Sequence, residues 1–478
     1  MQYVVNGYAP KRVFEIFEEL CAIPHGSGNE SGVADYVESF ARALGLEVIR
    51  DVVGNVFVRK GAGKGYEHRP SVLLQGHMDM VCEKNADVEH DFEKDGLKLF
   101  VEYGLLGAHG TSLGGDNGIA VAMMLAILEG DEHPALECLF TVEEETGLAG
   151  AKGFDCSLIR SKRMINLDSE EEDVVTAGCA GGIRTDFKFV CERKAIPEGR
   201  TAAKISVFGL AGGHSGGDIH TGRANAIVLL SRILSEARAQ CDIALCEIVG
   251  GGKDNAIARE ASAIVACSDF SALRACVENE SKRIKGELCE LDGDFCATCV
   301  SVEADGMICP ECSDRILAFM SLVKTGVLKY SNQISGLVEY SRNLGIAKTD
   351  GDGVCFTLST RSSIEAQIDL SDRELNTLAD VLGAECSHYA RYPGWEYAPV
   401  SSLREEYLDV FERIIGVRPT VSVIHAGLEC GIISSRTEGL DIISIGPNMY
   451  GIHSPAERLE LASCEKIWRV IGAFLSSK

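Results

Sequence analysis

The stretch Ser71–Val81 constrains the fold more than any other part of the sequence. Its first half, Ser71–Leu74, is a short apolar run of the kind that forms a buried strand. The run ends at Gly76, and His77 and Asp79 follow with one residue between them. In an open α/β sheet, ligands bind beyond the carboxyl ends of the strands, so these two side chains lie where a site can form. Taken alone, the pattern is more often that of a structural histidine.

Strand-like and helix-like segments alternate through the N-terminal part of the chain. Ala135–Val142 and Arg163–Leu167 are predicted strands, and Ile119–Leu128 is an apolar helix that follows a glycine-rich turn. This alternation predicts a mostly parallel sheet flanked by helices. The block Cys82–Gly107 is polar and predicts an irregular segment.

The character of the sequence changes after the N-terminal part. Alternating segments such as Ile183–Val190 and Thr201–Phe208 indicate a more antiparallel sheet, and an α/β pattern returns near the C-terminus. A chain of 478 residues is also too long for a single compact core. We therefore predict an α/β domain built from residues 1–182 and 397–478, with an inserted α+β domain at residues 183–396.

Composition and charge argue against several classes of function. The formal net charge of −25 disfavours nucleic acids and anionic membranes as partners, because both need basic patches. No apolar run is long enough to cross a bilayer, and the N-terminus lacks the basic and apolar regions of a signal peptide. Nineteen cysteines without an export signal indicate a reducing compartment, which predicts a cytoplasmic location.

Four of the cysteines form two Cys-x-x-Cys pairs, a spacing that zinc ribbons also use: Cys296 with Cys299, and Cys309 with Cys312. The segment around the first pair is a predicted strand, in which these two side chains face opposite sides. Cysteine also serves as a small buried hydrophobic residue throughout this chain. A structural zinc site here is an alternative that the spacing leaves open but does not favour.

Five residues of metal-binding type follow predicted strands or open a predicted helix: His77, Asp116, Glu145, Asp168 and His453. A carboxylate has two oxygens and can bridge two cations about 3.5–4 Å apart. Two imidazoles and three carboxylates suit zinc, with manganese or cobalt as possible replacements. Five protein ligands on two metals leave a position for water, which is typical of a catalytic site.

Two more carboxylates lie beside these candidate ligands. Glu144 precedes Glu145 and can act as a base toward a water at the metals. Asp79 lies on the same side of an extended segment as His77 and can orient its ring. Taken alone, the run Glu143–Glu145 is more often a solvated acidic turn.

Together these motifs resemble the M20 metallopeptidase family, and most closely its aminoacyl-histidine dipeptidase branch, over nearly the whole chain. The resemblance is carried by Gly76–Val81, Gly114–Gly118, Glu144–Gly147, Asn166–Glu172, Gly212–His220, His425–Gly431 and His453–Pro455. It implies a di-metal catalytic domain with an inserted lid domain, two zinc ions per subunit, and a homodimer formed through the lid.

The resemblance also implies how the metals are shared among the candidate ligands. Asp116 would bridge the two ions. His77 and Asp168 would complete one metal site, and Glu145 and His453 would complete the other.

The resemblance implies further roles around the metals. Asp79 would hold the metal-binding histidine and Glu144 would be the general base. His214 would stabilise the developing oxyanion, while Asn255 and Arg361 would bind substrate. A guanidinium suits a free carboxylate because it can bind both oxygens. Without the family context, His214 is an ordinary turn histidine and Arg361 is half of a surface ion pair.

The resemblance implies hydrolysis of dipeptides with free termini, with Xaa-His substrates such as β-alanyl-histidine favoured. Hydroxide held by the metals would attack the carbonyl, and Glu144 would pass the proton to the leaving amine. Two alternatives are an M20 amidohydrolase acting on N-acyl or carbamoyl amino acids, and a metal-binding protein without catalysis. The resemblance further implies a cis Asp116–Asn117 bond, and glycines predict hinges near Gly181 and near Gly394.

Overall fold

The computed structural model describes residues 3–351 and 353–477, and the chain divides into two compact units. The first unit contains the chain up to Cys179, then Trp395–Val423, and the chain from Leu428 onward. The second unit contains Ala180–Gly394 and the short segment Ile424–Gly427. The sequence predicted boundaries after residues 182 and 396, and it did not anticipate the short return at 424–427.

The regular elements follow one another along the whole chain. The helices are α1 Lys11–Cys21, α2 Ser31–Ala43, α3 Gly115–Glu129, α4 Ala149–Gly153, α5 Ala226–Gln240, α6 Phe270–Lys285, α7 Pro310–Leu322, α8 Glu365–Leu382, α9 Ser402–Ile415, α10 Glu429–Arg436 and α11 Leu461–Leu475. The strands of the first half are β1 Glu47–Arg50, β2 Val56–Lys60, β3 Val72–His77, β4 Leu99–Glu102, β5 Leu105–Ala108, β6 Leu136–Thr141, β7 Arg163–Asn166, β8 Val174–Cys179, β9 Gly181–Val190, β10 Arg193–Lys194, β11 Thr201–Phe208 and β12 Gly213–His214. The remaining strands are β13 Ile243–Gly250, β14 Ala256–Ile257, β15 Ala261–Cys267, β16 Cys296–Val302, β17 Met307–Ile308, β18 Gly326–Tyr330, β19 Val338–Asp350, β20 Gly353–Ser362, β21 Glu385–Tyr392, β22 Thr420–Ile424, β23 Asp441–Ser444, β24 Met449–Tyr450 and β25 Arg458–Glu460.

The main sheet of the first unit has the strand order β1-β2-β6-β3-β7-β23-β8-β22. Its centre is parallel, because β6, β3, β7 and β23 all pair in parallel with their neighbours within this group. The β1 and β2 strands and the pairing of β23 with β8 are antiparallel. The predicted α/β class is confirmed, with antiparallel strands toward the edges of a sheet that was expected to be mostly parallel.

Helix α3 packs between β3 and α1 in the core of the first unit. Every residue from Ile119 to Leu128 is buried, which is expected of a helix that is apolar on all sides. The helix opens at the C-terminal edge of the sheet, where Asp116 and Asn117 depart from helical geometry. The peptide bond between them is cis, which confirms that prediction.

The region from Cys82 to Gly107 is less irregular than its polar sequence indicates. Strands β4 and β5 form an antiparallel hairpin, and β5 pairs with β25 near the C-terminus. The prediction of an irregular block is therefore wrong for this part. The stabilising partner lies about 350 residues further along the chain, so local periodicity could not reveal it.

The second unit is built on an antiparallel sheet in the order β16-β11-β15-β13-β19-β20-β9-β21, with β18 also paired to β19. Helices α5 to α8 pack with this sheet in a separate hydrophobic core. At the start of β9, a Cβ on Gly181 would lie 2.4 Å from the backbone nitrogen of Gly394. Close packing therefore requires glycine at this predicted hinge, and hinge motion stays a prediction.

Among the helices of the described residues, none combines the length and apolar character needed to cross a membrane.

Candidate active site

Three neighbouring parallel strands end together at one edge of the main sheet. In the register of β3 and β6, His77 is opposite Thr141, and in that of β3 and β7, Gln75 is opposite Asn166. The loops that follow β6 and β7 therefore leave the sheet beside His77. Because carboxyl ends of parallel strands share an edge, polar residues in these loops converge there.

The five candidate metal ligands meet at this edge in two groups that share Asp116. The Nε2 atom of His77 lies 3.1 Å from Asp116 Oδ1 and 3.3 Å from Asp168 Oδ1. The Nε2 atom of His453 lies 3.2 Å from Asp116 Oδ2 and 3.0 Å from Glu145 Oε1. Each oxygen of Asp116 thus faces a different imidazole, and each imidazole also lies beside a second carboxylate.

The electrostatics of this cluster are those of a site that favours cations. Burial raises the pKa of Asp168 to about 7 and raises the pKa of Glu144 well above its ordinary range. Hydrogen bonding of His453 to Asp116 raises the pKa of the imidazole to about 11. Such shifts arise because several carboxylates share a buried region with only two imidazoles.

The donor set fits a pair of divalent cations. One ligand atom from each of His77, Asp116 and Glu145 lies within 4.8 Å of the other two. Within the described chain, this is the one group of three or more such residues that is so close together. Imidazole nitrogen with carboxylate oxygen is the donor combination that zinc and similar ions accept. Three of the five candidate ligands therefore form a group that could hold a metal ion, and the full set of five stays a prediction.

Asp79 connects one candidate ligand to the acidic turn. Its Oδ1 atom lies 3.2 Å from His77 Nδ1 and accepts the backbone N–H of Glu144 at 3.0 Å. Its Oδ2 atom accepts the backbone N–H of Glu145 at 3.2 Å and the hydroxyl of Ser27 at 2.8 Å. With Nδ1 occupied in this way, His77 presents Nε2 to the cluster.

A layer of buried polar side chains lies on the strands that lead to the ligands, and sequence reasoning did not identify it. Gln75 donates to Glu429, and Thr141 donates to the same carboxylate at 2.6 Å. Asn166 donates to the Gln75 side chain at 2.6 Å. Because these residues lie on β3, β6 and β7, their bonds help to fix the relative positions of the strand ends. A glutamine within the apolar run of β3 was the available signal.

His214 lies in the second unit, where the short strands β12 and β14 pair it with Ala256. Its Nδ1 atom accepts the backbone N–H groups of Gly216 at 3.3 Å and Gly217 at 3.0 Å. Desolvation and the nearby Arg361 guanidinium lower the pKa of His214. The neutral ring therefore carries its proton on Nε2, which makes that atom a hydrogen-bond donor.

The two predicted substrate-binding residues also lie in the second unit. The carbonyl of Asn255 accepts the backbone N–H of Ser215 at 2.8 Å, which places Asn255 beside the His214 segment. Arg361, on β20, is buried and donates to the Tyr392 hydroxyl at 3.0 Å. Among the described residues, its buried Nε atom has no hydrogen-bond partner.

The two Cys-x-x-Cys pairs belong to different elements of the second unit. Cys296 and Cys299 lie on β16, while Cys309 and Cys312 lie at the start of α7. The Sγ atom of Cys312 lies 2.9 Å from that of Cys191, which is outside both pairs. None of these cysteines belongs to a metal-type group in the described residues, so a packing role is the simpler interpretation.

Known proteins are similar to this chain along nearly its whole length. Residues 205–288 match the M20 family described as the peptidase dimerisation domain. The chain is 36% identical to the cytosol non-specific dipeptidase of Escherichia coli K12, covering 98% of this chain and 97% of that protein. A crystal structure of aminoacylhistidine dipeptidase from Vibrio alginolyticus superposes with a TM-score of 0.92 at 35% identity, covering 98% of this chain and 97% of that chain. The aminopeptidase PepT of Bacillus cereus shares the fold, with a TM-score of 0.57 and 16% identity over 98% of both chains.

Proposed function

The chain belongs to the M20 metallopeptidase family, and we propose that it acts as a metallo-dipeptidase in the following way. Its substrates are dipeptides with free termini, and Xaa-His dipeptides, including β-alanyl-histidine, are the favoured class. The observation that carries the proposal is the position of Asp116, whose two oxygens face His77 with Asp168 on one side and His453 with Glu145 on the other.

These five residues would hold two divalent cations, with zinc the first choice and manganese or cobalt possible replacements. When bound, the cations supply Lewis acidity, which polarises a carbonyl and makes a water more acidic. The chain's own contribution is to keep the ligands in place. Asp79 does this by holding the His77 ring and the backbone of the Glu144–Glu145 turn at once.

Glu144 is the proposed general base. Its neighbour Glu145 faces His453, and the backbone bonds to Asp79 fix both residues of the turn. Burial raises the pKa of Glu144, so the carboxylate is a better proton acceptor than an exposed glutamate. In this role it takes a proton from the attacking water and returns it to the leaving amine.

The second unit supplies the groups proposed to recognise the rest of the substrate. Arg361 binds the free carboxylate of the dipeptide through its guanidinium, and Asn255 supports substrate binding. His214 donates its Nε2 proton to the oxyanion that forms at the scissile carbonyl. Its Nδ1 is already occupied by two backbone donors, so the ring is held in the tautomer that this role needs.

Two further properties complete the proposal. A homodimer formed through the second unit is supported by the match of residues 205–288 to a dimerisation domain. A cytoplasmic location is supported by the E. coli relative, which is described as a cytosol enzyme. On this proposal, the first unit is the catalytic domain and the second is the lid.

One experiment separates this function from the alternatives. The chelated protein and the protein reloaded with zinc or manganese are each given β-alanyl-histidine, an unrelated dipeptide and an N-acetyl amino acid. We expect metal-dependent release of free amino acids from the dipeptides and little from the N-acetyl compound. Preferential hydrolysis of the N-acetyl compound would indicate an amidohydrolase instead, and no hydrolysis of any substrate would indicate a metal-binding protein without catalysis.

A further inference from the structure

Glu457 lies outside the predicted ligand set, yet its carboxylate binds the backbone of the segment that contains Asp116. Its Oε2 atom accepts the backbone N–H groups of Leu113 at 2.7 Å and Gly114 at 3.2 Å. Its Oε1 atom accepts those of Gly115 at 2.8 Å and Asp116 at 3.4 Å. Glu457 is 2% exposed, so these bonds form away from solvent.

The same residue terminates the loop that carries His453. Strands β24 and β25 form an antiparallel hairpin, and the connection between them contains both His453 and Glu457. His453 has a φ of 58°, a left-handed conformation that a non-glycine residue adopts only where its surroundings impose it. Within the loop, the Ser454 hydroxyl donates to the Gly451 carbonyl at 2.6 Å, and the Glu457 N–H donates to the Ser454 carbonyl at 3.0 Å.

The backbone N–H groups around Gly114 form a concave set of donors, because Gly114 has a left-handed φ of 67°. Such donor sets bind anions, and here the anion is a side chain from a segment more than 300 residues away in sequence. A carboxylate has enough acceptor sites for all four donors, whereas an amide of the same shape has only one oxygen.

We propose that Glu457 is a positioning residue that sets the distance between the bridging Asp116 and His453, and thereby the affinity for the second cation. This inference rests on the metal centre of the proposed function. The backbone of Asp116 donates to the Glu457 carboxylate, and His453 lies on the loop that ends at Glu457. His77 and Asp168 are placed independently, by β3 and β7. Loss of the carboxylate should therefore weaken the His453 side more than the His77 side.

The test is Glu457→Gln, measured by manganese titration and by electron paramagnetic resonance of the manganese-loaded protein. The wild type is expected to bind two ions with the signal of a coupled pair. The variant should bind its second ion about 10–100-fold more weakly and show the signal of an isolated ion. Glu18→Gln is the matched control, because Glu18 is also buried and accepts two backbone N–H groups, those of Val4 and Val5, that carry no ligand.

Each outcome is decisive for this inference. If Glu457→Gln keeps wild-type affinity for both ions and the coupled signal, or if the Glu18 control loses the second ion equally, the positioning role is refuted. If the wild type binds no manganese pair, the proposed metal centre itself fails, which is a different result. Should Glu457→Gln not fold, Gly115→Ala replaces it, since its Cβ would lie 3.2 Å from Glu457 Oε1. Unchanged second-ion affinity in that variant would equally overturn the inference.

Discussion

Replacing Asp79 with asparagine should both destabilise the first unit and weaken metal binding. The Asp79 side chain is 0% exposed and serves donors on both oxygens. Asparagine keeps one oxygen and adds an N–H₂ group, so one side of the former carboxylate becomes a donor. The less costly orientation turns the N–H₂ toward Ser27, whose hydroxyl can rotate to accept. The backbone N–H of Glu145, which also faces that side, then loses its acceptor.

The expected loss of stability follows from that single unpaired donor. A buried donor left without a partner costs about 1–3 kcal/mol, and we expect the free energy of unfolding of metal-free Asp79→Asn to fall by that amount. Because the affected N–H belongs to Glu145, the turn that carries a candidate ligand also loosens. Metal affinity should then fall about 10–100-fold, with a loss of turnover at limiting metal.

The assay is urea denaturation of the chelated protein, followed by manganese titration of the same sample. Ser27→Ala is the control, because it removes one hydroxyl from Oδ2 but leaves both backbone donors paired. It should cost only about 0.5–1.5 kcal/mol and leave metal affinity near that of the wild type. An Asp79→Asn protein with wild-type stability and wild-type metal affinity would refute the reasoning.

Further predictions concern the metals, the base, the lid and acid stability. Chelation should abolish dipeptide hydrolysis and leave the circular dichroism spectrum unchanged, because the first unit has its own apolar core; hydrolysis by metal-free protein would contradict the mechanism. Glu144→Gln should keep its metals but lose roughly a hundredfold or more in kcat, and near-native kcat would show that another group is the base. His214→Ala should lose on the order of a hundredfold in kcat at unchanged metal content; mixing it with Glu144→Gln restores activity only if each site uses the partner's histidine. Bonds from Arg163 and Arg69 outweigh burial and lower the pKa of Glu406, so its contribution to stability is present above the unfolded pKa and lost as pH falls through the lowered value. In urea denaturation, Glu406→Gln should therefore flatten the loss of stability below about pH 4, and an unchanged acid profile would contradict this.

Local sequence patterns were enough to predict the kinds of residue at the candidate site and their place relative to the strands. His77 and the loops that carry Glu145 and Asp168 follow apolar runs, and a parallel register brings the ends of such runs to one edge. That argument needs only local periodicity and a general property of parallel sheets. The sharing of the metals among the candidate ligands, with Asp116 as the bridge, came from the family resemblance.

The groups that hold those residues in place became visible only in the folded chain. The carboxylate of Glu457 meets the backbone at Leu113 across more than 300 residues, and Glu429 meets Gln75 across a similar separation. Likewise, the pairing of β5 with β25 supports the β4–β5 hairpin in a stretch that is polar in sequence. Such contacts join segments with no local pattern in common. Propensity and periodicity act over a few residues, so they predict where a strand ends but not which distant carboxylate its backbone will meet.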